Sequence, residues 1–378
     1  MTDTKRAEDL KATHDGFKWA KAAPGVIPAW IADMDLPTAP EVVNALQRRA
    51  HGDLGYPTWL DDPRCGPLAE AFVERMAGRY GWEPELEYVR SYSDINQALQ
   101  VILHVWTRPG DGVAVHTPTY PPFLGTLETM NRPLHPLQLS ADGDSWRFEV
   151  PDLSRCKVLL LVNPHNPTGR VFTREELTEL AEHAERHDLL VISDEIHADL
   201  AYAPNQHIPF ATILPERTVT LTSATKAFNL GGIRCSVAHV GSPELRKALD
   251  AQPPFVFGSA NLFGVEATVA AWRHGDAWLE ETRALLDRNR RTIAERLPEG
   301  VGYRVPEATY LAWLDYGRPG VQEMLERDAK VMLSDGATFG PGGAHCVRLN
   351  FATTEPILTE ILDRITQTGS PSSQSAGR

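Results

Sequence analysis

Through the middle of the chain, short apolar runs rich in β-formers alternate with segments of helical periodicity. The runs are GVAVHTP (112–118), KVLLLVNP (157–164), DLLVISDE (188–195) and RTVTLTSAT (217–225). Ahead of them, an apolar helical pattern at 65–80 leads to an extended stretch at 87–92 and an expected helix at 95–106. The clearest of the later helices is 173–187, where Thr173 is placed as its N-cap with Glu176 three residues on. Strands alternating with helices imply an α/β fold, a mostly parallel sheet covered on both faces. In such sheets ligands bind beyond the C-terminal ends of the strands. The polar motifs stand there: Asn163 onward after one run, Asp194-Glu195 at the end of the next, and Ser223 to Lys226 at the end of a third. The three are expected to converge on one crevice.

The pattern changes near residue 276. A long helix over roughly 277–297 precedes a smaller α/β unit that holds TYLAWLDY (309–316) and HCVRLNFA (345–352). A chain of 378 residues is too long for one small core. Residues 49–276 therefore read as a large domain and 277–366 as an interdomain helix with a small C-terminal domain. Residues 1–48 read as an arm that joins the small domain, and the Ser/Gly/Gln-rich end, 367–378, as a disordered tail. The formal net charge of -13 argues against a broad nucleic-acid or anionic-membrane surface, though a local cationic pocket is compatible with it. Cys65, Cys156, Cys235 and Cys346 lie far apart, in neither a disulfide nor a zinc spacing. The charged N-terminus has no apolar core of a signal peptide, and no run approaches the roughly 18 apolar residues of a membrane span. A cytoplasmic protein is expected.

Three segments carry chemistry. In SATKAFNLGGIR (223–234), Lys226 alone would read as a surface charge, but Ser223, Thr225 and Arg234 surround it. Hydroxyls and one delocalised cation are what a phosphate dianion requires. A lysine desolvated beside them can lose its proton and act as nucleophile or base. In NPHNPTGR (163–170) a Pro/Gly turn follows a strand; it is either simply a turn or a rigid mount that presents Asn166 to an anionic oxygen. In SDEIHADL (193–200), Asp194 ends an apolar strand, where a carboxylate is costly unless paired. It either caps the next helix or faces a protonated ring nitrogen.

In this order and spacing, the asparagine turn, the strand-end aspartate and the lysine segment resemble the fold-type-I pyridoxal-phosphate (PLP) enzymes, the aspartate-aminotransferase superfamily. The likeness covers nearly the whole chain. More narrowly, PAWIADMDL (28–36), GDLGYPTW (52–59), TPTYPPF (117–123), DEIHADL (194–200) and TYLAWLD (309–315) resemble the MalY/PatB group of cystathionine β-lyases. The resemblance implies a large domain built on a mostly parallel seven-stranded sheet. It also implies a cofactor held as a Schiff base on Lys226, which later carries the substrate Cα proton. Asp194 would meet the pyridine nitrogen, Asn166 the ring oxygen and Tyr120 the ring face, with His197 behind Asp194. Ser223, Thr225, Arg234, Ser93 and the backbone near Tyr92 would hold the phosphate. Arg348 would clamp the substrate carboxylate, with Ala32 close by on a lid strand. Tyr56 would reach the phosphate of a partner subunit, which implies a homodimer.

The activity so implied is α,β-elimination from cystathionine or a cysteine S-conjugate, giving pyruvate, ammonia and a thiol. An aminotransferase, a specialised relative performing β- or γ-elimination, replacement or cyclisation, and a PLP-bound regulator without turnover are the alternatives. His183 and His187 have the spacing of a metal pair but lie on a charged helical face, and no metal is expected. Asp33 and Asp35 are discounted as a catalytic pair. Asp94 is a departure, because the group usually carries glycine there.

Overall fold

The computed structural model describes residues 7–13 and 15–369. The central sheet has seven strands: β1 (Val89–Tyr92), β2 (Gly112–Thr117), β3 (Leu134–Gln138), β4 (Cys156–Val162), β5 (Leu190–Asp194), β6 (Thr218–Thr222) and β7 (Ser236–Val240), in the order β1-β7-β6-β5-β4-β2-β3. Neighbours from β6 to β3 pair in parallel, and β7 runs antiparallel to both β6 and β1. Every residue of β2, β5 and β6 is buried. This is why β2 and β5 carry apolar residues on both faces, while in β6 buried threonines alternate with Val219 and Leu221. The short SVAHV of β7 does not stand out in the sequence, yet it is the strand that lets β1 point the same way as the parallel set.

Local chemistry fixes the helices between them. Helix α1 (Ile95–Trp106) is capped by Asp94, whose carboxylate accepts from the Gln97 N–H. Helix α2 (Arg174–Arg186) begins with the reciprocal box expected from its sequence: Thr173 Oγ1 accepts from Glu176 N, and Glu176 Oε2 accepts from Thr173 N. The turn between β4 and α2 needs Gly169. Its φ is +70°, and a Cβ there would lie 2.2 Å from Pro306 Cβ. The glycine lets this turn press against residues 306–308, where Gly169 O accepts from Ala308 N at 2.8 Å.

Helix α3 (Asp276–Arg296) leads into a second, antiparallel sheet of four strands: β8 (Gly302–Tyr303), β9 (Leu311–Asp315), β10 (Ser334–Asp335) and β11 (Cys346–Asn350), ordered β8-β9-β11-β10. Buried Asn289 of α3 donates through Nδ2 to Phe351 O and Thr353 O, both at 2.9 Å, and so fixes the end of β11. Helix α4 (Glu355–Gly369) packs back on α3. Its last turn enters the stretch read as a tail, and residues 370–378 lie outside the described residues. No described helix is long and apolar enough to cross a membrane. All four cysteines are buried and unpaired in disulfides.

The N-terminal segment pairs with the C-terminal part of the chain. Ile27–Pro28 pairs in parallel with Val331–Met332; further on, Ala29 O accepts from Asn350 N and Asp35 donates its N–H to Ala352 O. Asp35 is then locked from the other side, accepting from Lys18 Nζ and from Trp19 Nε1, each at 2.7 Å. Lys18 and Asp35 are both almost fully buried. Removing one partner of a buried pair leaves the other charge uncompensated, at a cost of about 3–5 kcal/mol. Asp35→Ala is therefore expected to lower the unfolding free energy by about that amount in a urea titration. A loss below about 1 kcal/mol would contradict the pairing.

Candidate active site

Because β1 and the parallel strands share one direction, their C-terminal ends open on the same edge of the sheet. That edge delivers Ser93 and Asp94 after β1, Tyr120 after β2, Asn166 after β4, Asp194 at the end of β5 and the Ser223–Lys226 turn after β6. The register sets β4, β5 and β6 side by side there, with Val162 opposite Asp194 and Asp194 opposite Leu221.

Lys226 is half-buried, and its Nζ donates to the Ala32 carbonyl at 2.9 Å. The same oxygen accepts from the Tyr310 hydroxyl at 3.1 Å. Burial pushes the lysine pKa down to about 8; the Asp33 and Asp194 carboxylates oppose this, and Arg348 and Arg234 add to it. The amine is thus substantially unprotonated at mildly alkaline pH, as a nucleophile or base must be. Tyr310 is fully buried, and burial raises its phenol strongly. It stays a neutral donor.

Asp194 is buried beside this amine. Burial raises its carboxyl to about 7, against the Ile196 N–H that donates to Oδ1 at 3.1 Å; Glu195 raises it further and Lys226 lowers it. The Ile196 bond closes a turn, but Asp194 does not cap the short helix that follows, whose N-cap is His197. Its Oδ2 takes no hydrogen bond from a described residue, and neither does Asn166 Nδ2 donate to one. Asn166 Oδ1 accepts from Arg348 Nη1 at 2.9 Å. Arg348 is 5% exposed, and its Nη2 donates to Trp30 O at 3.0 Å and Ser334 Oγ at 3.3 Å. Among the described residues no carboxylate pairs with it, and burial lowers its pKa to about 10. His197 is neutral, because burial pushes its pKa down to about 3, and its Nδ1 is buried without a partner. Its ring meets Tyr310 edge-on at 6.2 Å. Half-buried Tyr120 stands at the mouth, its phenol raised by burial.

A planar ring bearing an anionic oxygen and a basic nitrogen fits this donor set. Asn166 Nδ2 is available to the oxygen, Asp194 Oδ2 to a protonated nitrogen, Tyr120 to the face and Lys226 to a carbonyl carbon.

The end expected to hold a phosphate is arranged differently. Arg234, left-handed at φ 57°, forms an ion pair with Asp94 Oδ2. The Ser93 hydroxyl reaches Gln97 Oε1 at 2.9 Å and Asp94 Oδ2 at 3.2 Å. Ser223 donates to Cys235 O at 2.6 Å and lies 3.0 Å from Thr225 Oγ1. The Tyr92 side chain is buried among apolar neighbours, so only its backbone bears on the pocket. Arg234 still lowers the Lys226 pKa, so the two ends share one electrostatic field.

Tyr56 joins neither end; its side chain is exposed. His183 and His187 stack at 6.3 Å on an open helix face, and no metal-binding cluster occurs among the described residues. Asp33 and Asp35 part company, Asp35 turning to Lys18 while half-buried Asp33 bears on Lys226 and Tyr310. Two asparagines not singled out in the sequence hold the Ala32 segment in place, which is irregular backbone and not the strand that the resemblance implies. Asn229, at φ 57°, accepts from Met34 N and donates to Met34 O and Leu36 O. Asn350 donates to Ile31 O and Asp33 O, both at 2.7 Å. An asparagine three residues past the lysine and just before a glycine pair was the available signal, since Asn tolerates the left-handed region.

The family model for aminotransferase class I and II matches residues 33–365. A putative cystathionine beta-lyase of Mycobacterium tuberculosis is 34% identical, over 95% of this chain and 96% of its own. The cystathionine beta-lyase PatB of Bacillus subtilis is 32% identical, over 97% and 99%. The solved PLP-bound C-S lyase of Staphylococcus hominis superposes with a TM-score of 0.85 at 27% identity, over 97% of this chain and 96% of its own.

The depressed lysine is directly measurable. Acylation of the free Lys226 amine, followed by peptide mass spectrometry across a pH series, is expected to give a midpoint at about 8. A midpoint at the ordinary lysine value, near 10.4, would show that the surroundings do not desolvate it.

Proposed function

The chain belongs to the aminotransferase class I and II family, in its MalY/PatB group of cystathionine β-lyases, and on that premise we propose that it is a PLP-dependent carbon–sulfur β-lyase. Cystathionine or a cysteine S-conjugate is the substrate class. The observation that carries an amino-acid substrate is Arg348, a buried guanidinium with which no carboxylate among the described residues pairs.

The cofactor, when bound, supplies an electrophilic carbon for Lys226 and an electron sink for the bond broken at the substrate Cα. The chain's residues do the rest. Arg348 takes the substrate α-carboxylate, and its bonds to Asn166, Trp30 O and Ser334 leave the guanidinium little freedom to turn. That fixes the substrate against Ala32 and sets the Cα proton toward the Lys226 amine. Once released from its own covalent bond, Lys226 removes that proton. The carbon–sulfur bond breaks, its electron pair leaves on the sulfur, and the thiolate takes up a proton. The three-carbon enamine that remains hydrolyses to pyruvate and ammonia. Asp194 would pair with the ring nitrogen and hold its proton there, and Asn166 Nδ2 would hold the ring oxygen. Tyr310 holds the Ala32 carbonyl, the acceptor that the free Lys226 amine reaches.

We further read the protein as a cytoplasmic homodimer in which exposed Tyr56 is contributed to the partner's phosphate end. The division at residues 49–276 and 277–366 sets the strand-end residues on one unit and Arg348 on the other, so the substrate carboxylate sits where the two meet.

Purified protein given cystathionine, PLP and no keto acid is expected to release pyruvate and ammonia in equal amounts. Strict dependence on an added keto acid would instead identify an aminotransferase. Lys226→Ala should lower the pyruvate rate by about 10²–10⁴-fold. Arg348→Ala should lower kcat/KM by about 10–100-fold, the value of a charged hydrogen-bond pair, with substrates that lack the α-carboxylate unaffected.

A further inference from the structure

The expected phosphate end already contains an anion. Asp94 stands at the N-terminus of α1, where its Oδ1 takes the Gln97 N–H at 3.0 Å and its Oδ2 takes the Arg234 guanidinium. The other donors there are turned inward as well. Ser93 N donates to Gln97 Oε1 at 2.8 Å, Thr225 N donates to Ser223 Oγ at 3.1 Å, and Ser223 itself donates to Cys235 O. These donors are thus engaged with one another, and the Arg234 guanidinium is paired with a carboxylate through Nη2.

Resting on the reading that the crevice holds PLP, we propose that Asp94 is a displaceable internal counterion for Arg234 that sets how tightly this chain retains its cofactor. The Arg234 side chain is 57% exposed, against 20% for Asp94, so the pair is solvated and screened. Such a pair exchanges partners readily, unlike the buried Lys18–Asp35 pair. A phosphate dianion entering the pocket has to separate Arg234 from Asp94 and then lie near the carboxylate it has displaced. Both steps oppose binding. Asp94 makes no hydrogen bond to Lys226, Asp194 or Asn166, although its charge reaches Tyr120. Asp94 is therefore a positioning residue for cofactor retention and takes no part in the bond changes at the substrate.

The test measures cofactor uptake rather than turnover. Protein stripped of PLP is titrated with PLP at fixed salt, following the absorbance of the Lys226 imine, for the wild type, Asp94→Asn, Arg234→Ala and the double variant. Asparagine caps a helix as well as aspartate does, so Asp94→Asn should leave the melting temperature of the unliganded protein unchanged. It should tighten PLP binding by about tenfold and lower the concentration of inorganic phosphate that competes. In the Arg234→Ala background the same change should gain less than about twofold, because the counterion then has nothing to hold. An Asp94→Asn affinity equal to or weaker than wild type overturns the proposal, as does a full gain without Arg234. A wild-type chain that forms no imine with PLP overturns the underlying reading, and this proposal with it.

Discussion

Desolvating a guanidinium costs several kcal/mol even after the protein relaxes around it. Arg348 bears that cost without an acidic partner among the described residues. What holds it is neutral: the Asn166 amide oxygen, the Trp30 carbonyl and the Ser334 hydroxyl. These come from the turn after β4, from the N-terminal segment and from the edge of the second sheet. One cation therefore gathers three parts of the chain that are far apart in sequence, and its remaining positive charge is left for a ligand. The crevice exists in its present shape because these neutral bonds are enough to seat Arg348 but not to neutralise it.

The same dryness governs the neighbours. Burial moves Lys226 down to about 8 and Asp194 up to about 7, so an amine and an acid of ordinarily distant strength come to lie about one pH unit apart. Each also acts on the other through space, Asp194 raising Lys226 and Lys226 lowering Asp194. A bound carboxylate beside Arg348 or a cationic ring nitrogen beside Asp194 shifts the balance of the pair. Binding and proton inventory are thus coupled by geometry alone, with His197 held neutral and outside the exchange.

Much of this was legible in the sequence because it follows from strong local rules. The apolar runs fix β2, β4, β5 and β6; the Thr173–Glu176 box fixes the start of α2; and parallel strands force polar strand ends to one edge. Lys226, Asp194 and Asn166 stand together for that reason, and the motif resemblance only supplied their roles. What was not legible depends on long-range contact. The SVAHV strand has no pattern of its own and is set by pairing with β1 and β6. Asn229 and Asn350 look like ordinary loop and strand-end polar residues until the 31–36 segment lies across them. Asp33 and Asp35 are two residues apart, and only the fold decides that one meets Lys18 and the other the field of Lys226. Asp94 was visible as a departure, but its engagement with Arg234 needs the turn after β6 to come alongside α1.

The acceptor that the free Lys226 amine reaches is a main-chain oxygen, that of Ala32. No amino-acid replacement at position 32 can delete it, so this contact is shielded from the commonest form of genetic change. Variation can reach it only indirectly, by shifting the path of this segment through Asn229, Asn350 or Tyr310. Such shifts are graded rather than all-or-none. A lineage carrying this scaffold could retune the lysine in small steps while the side chains that face the substrate drift independently.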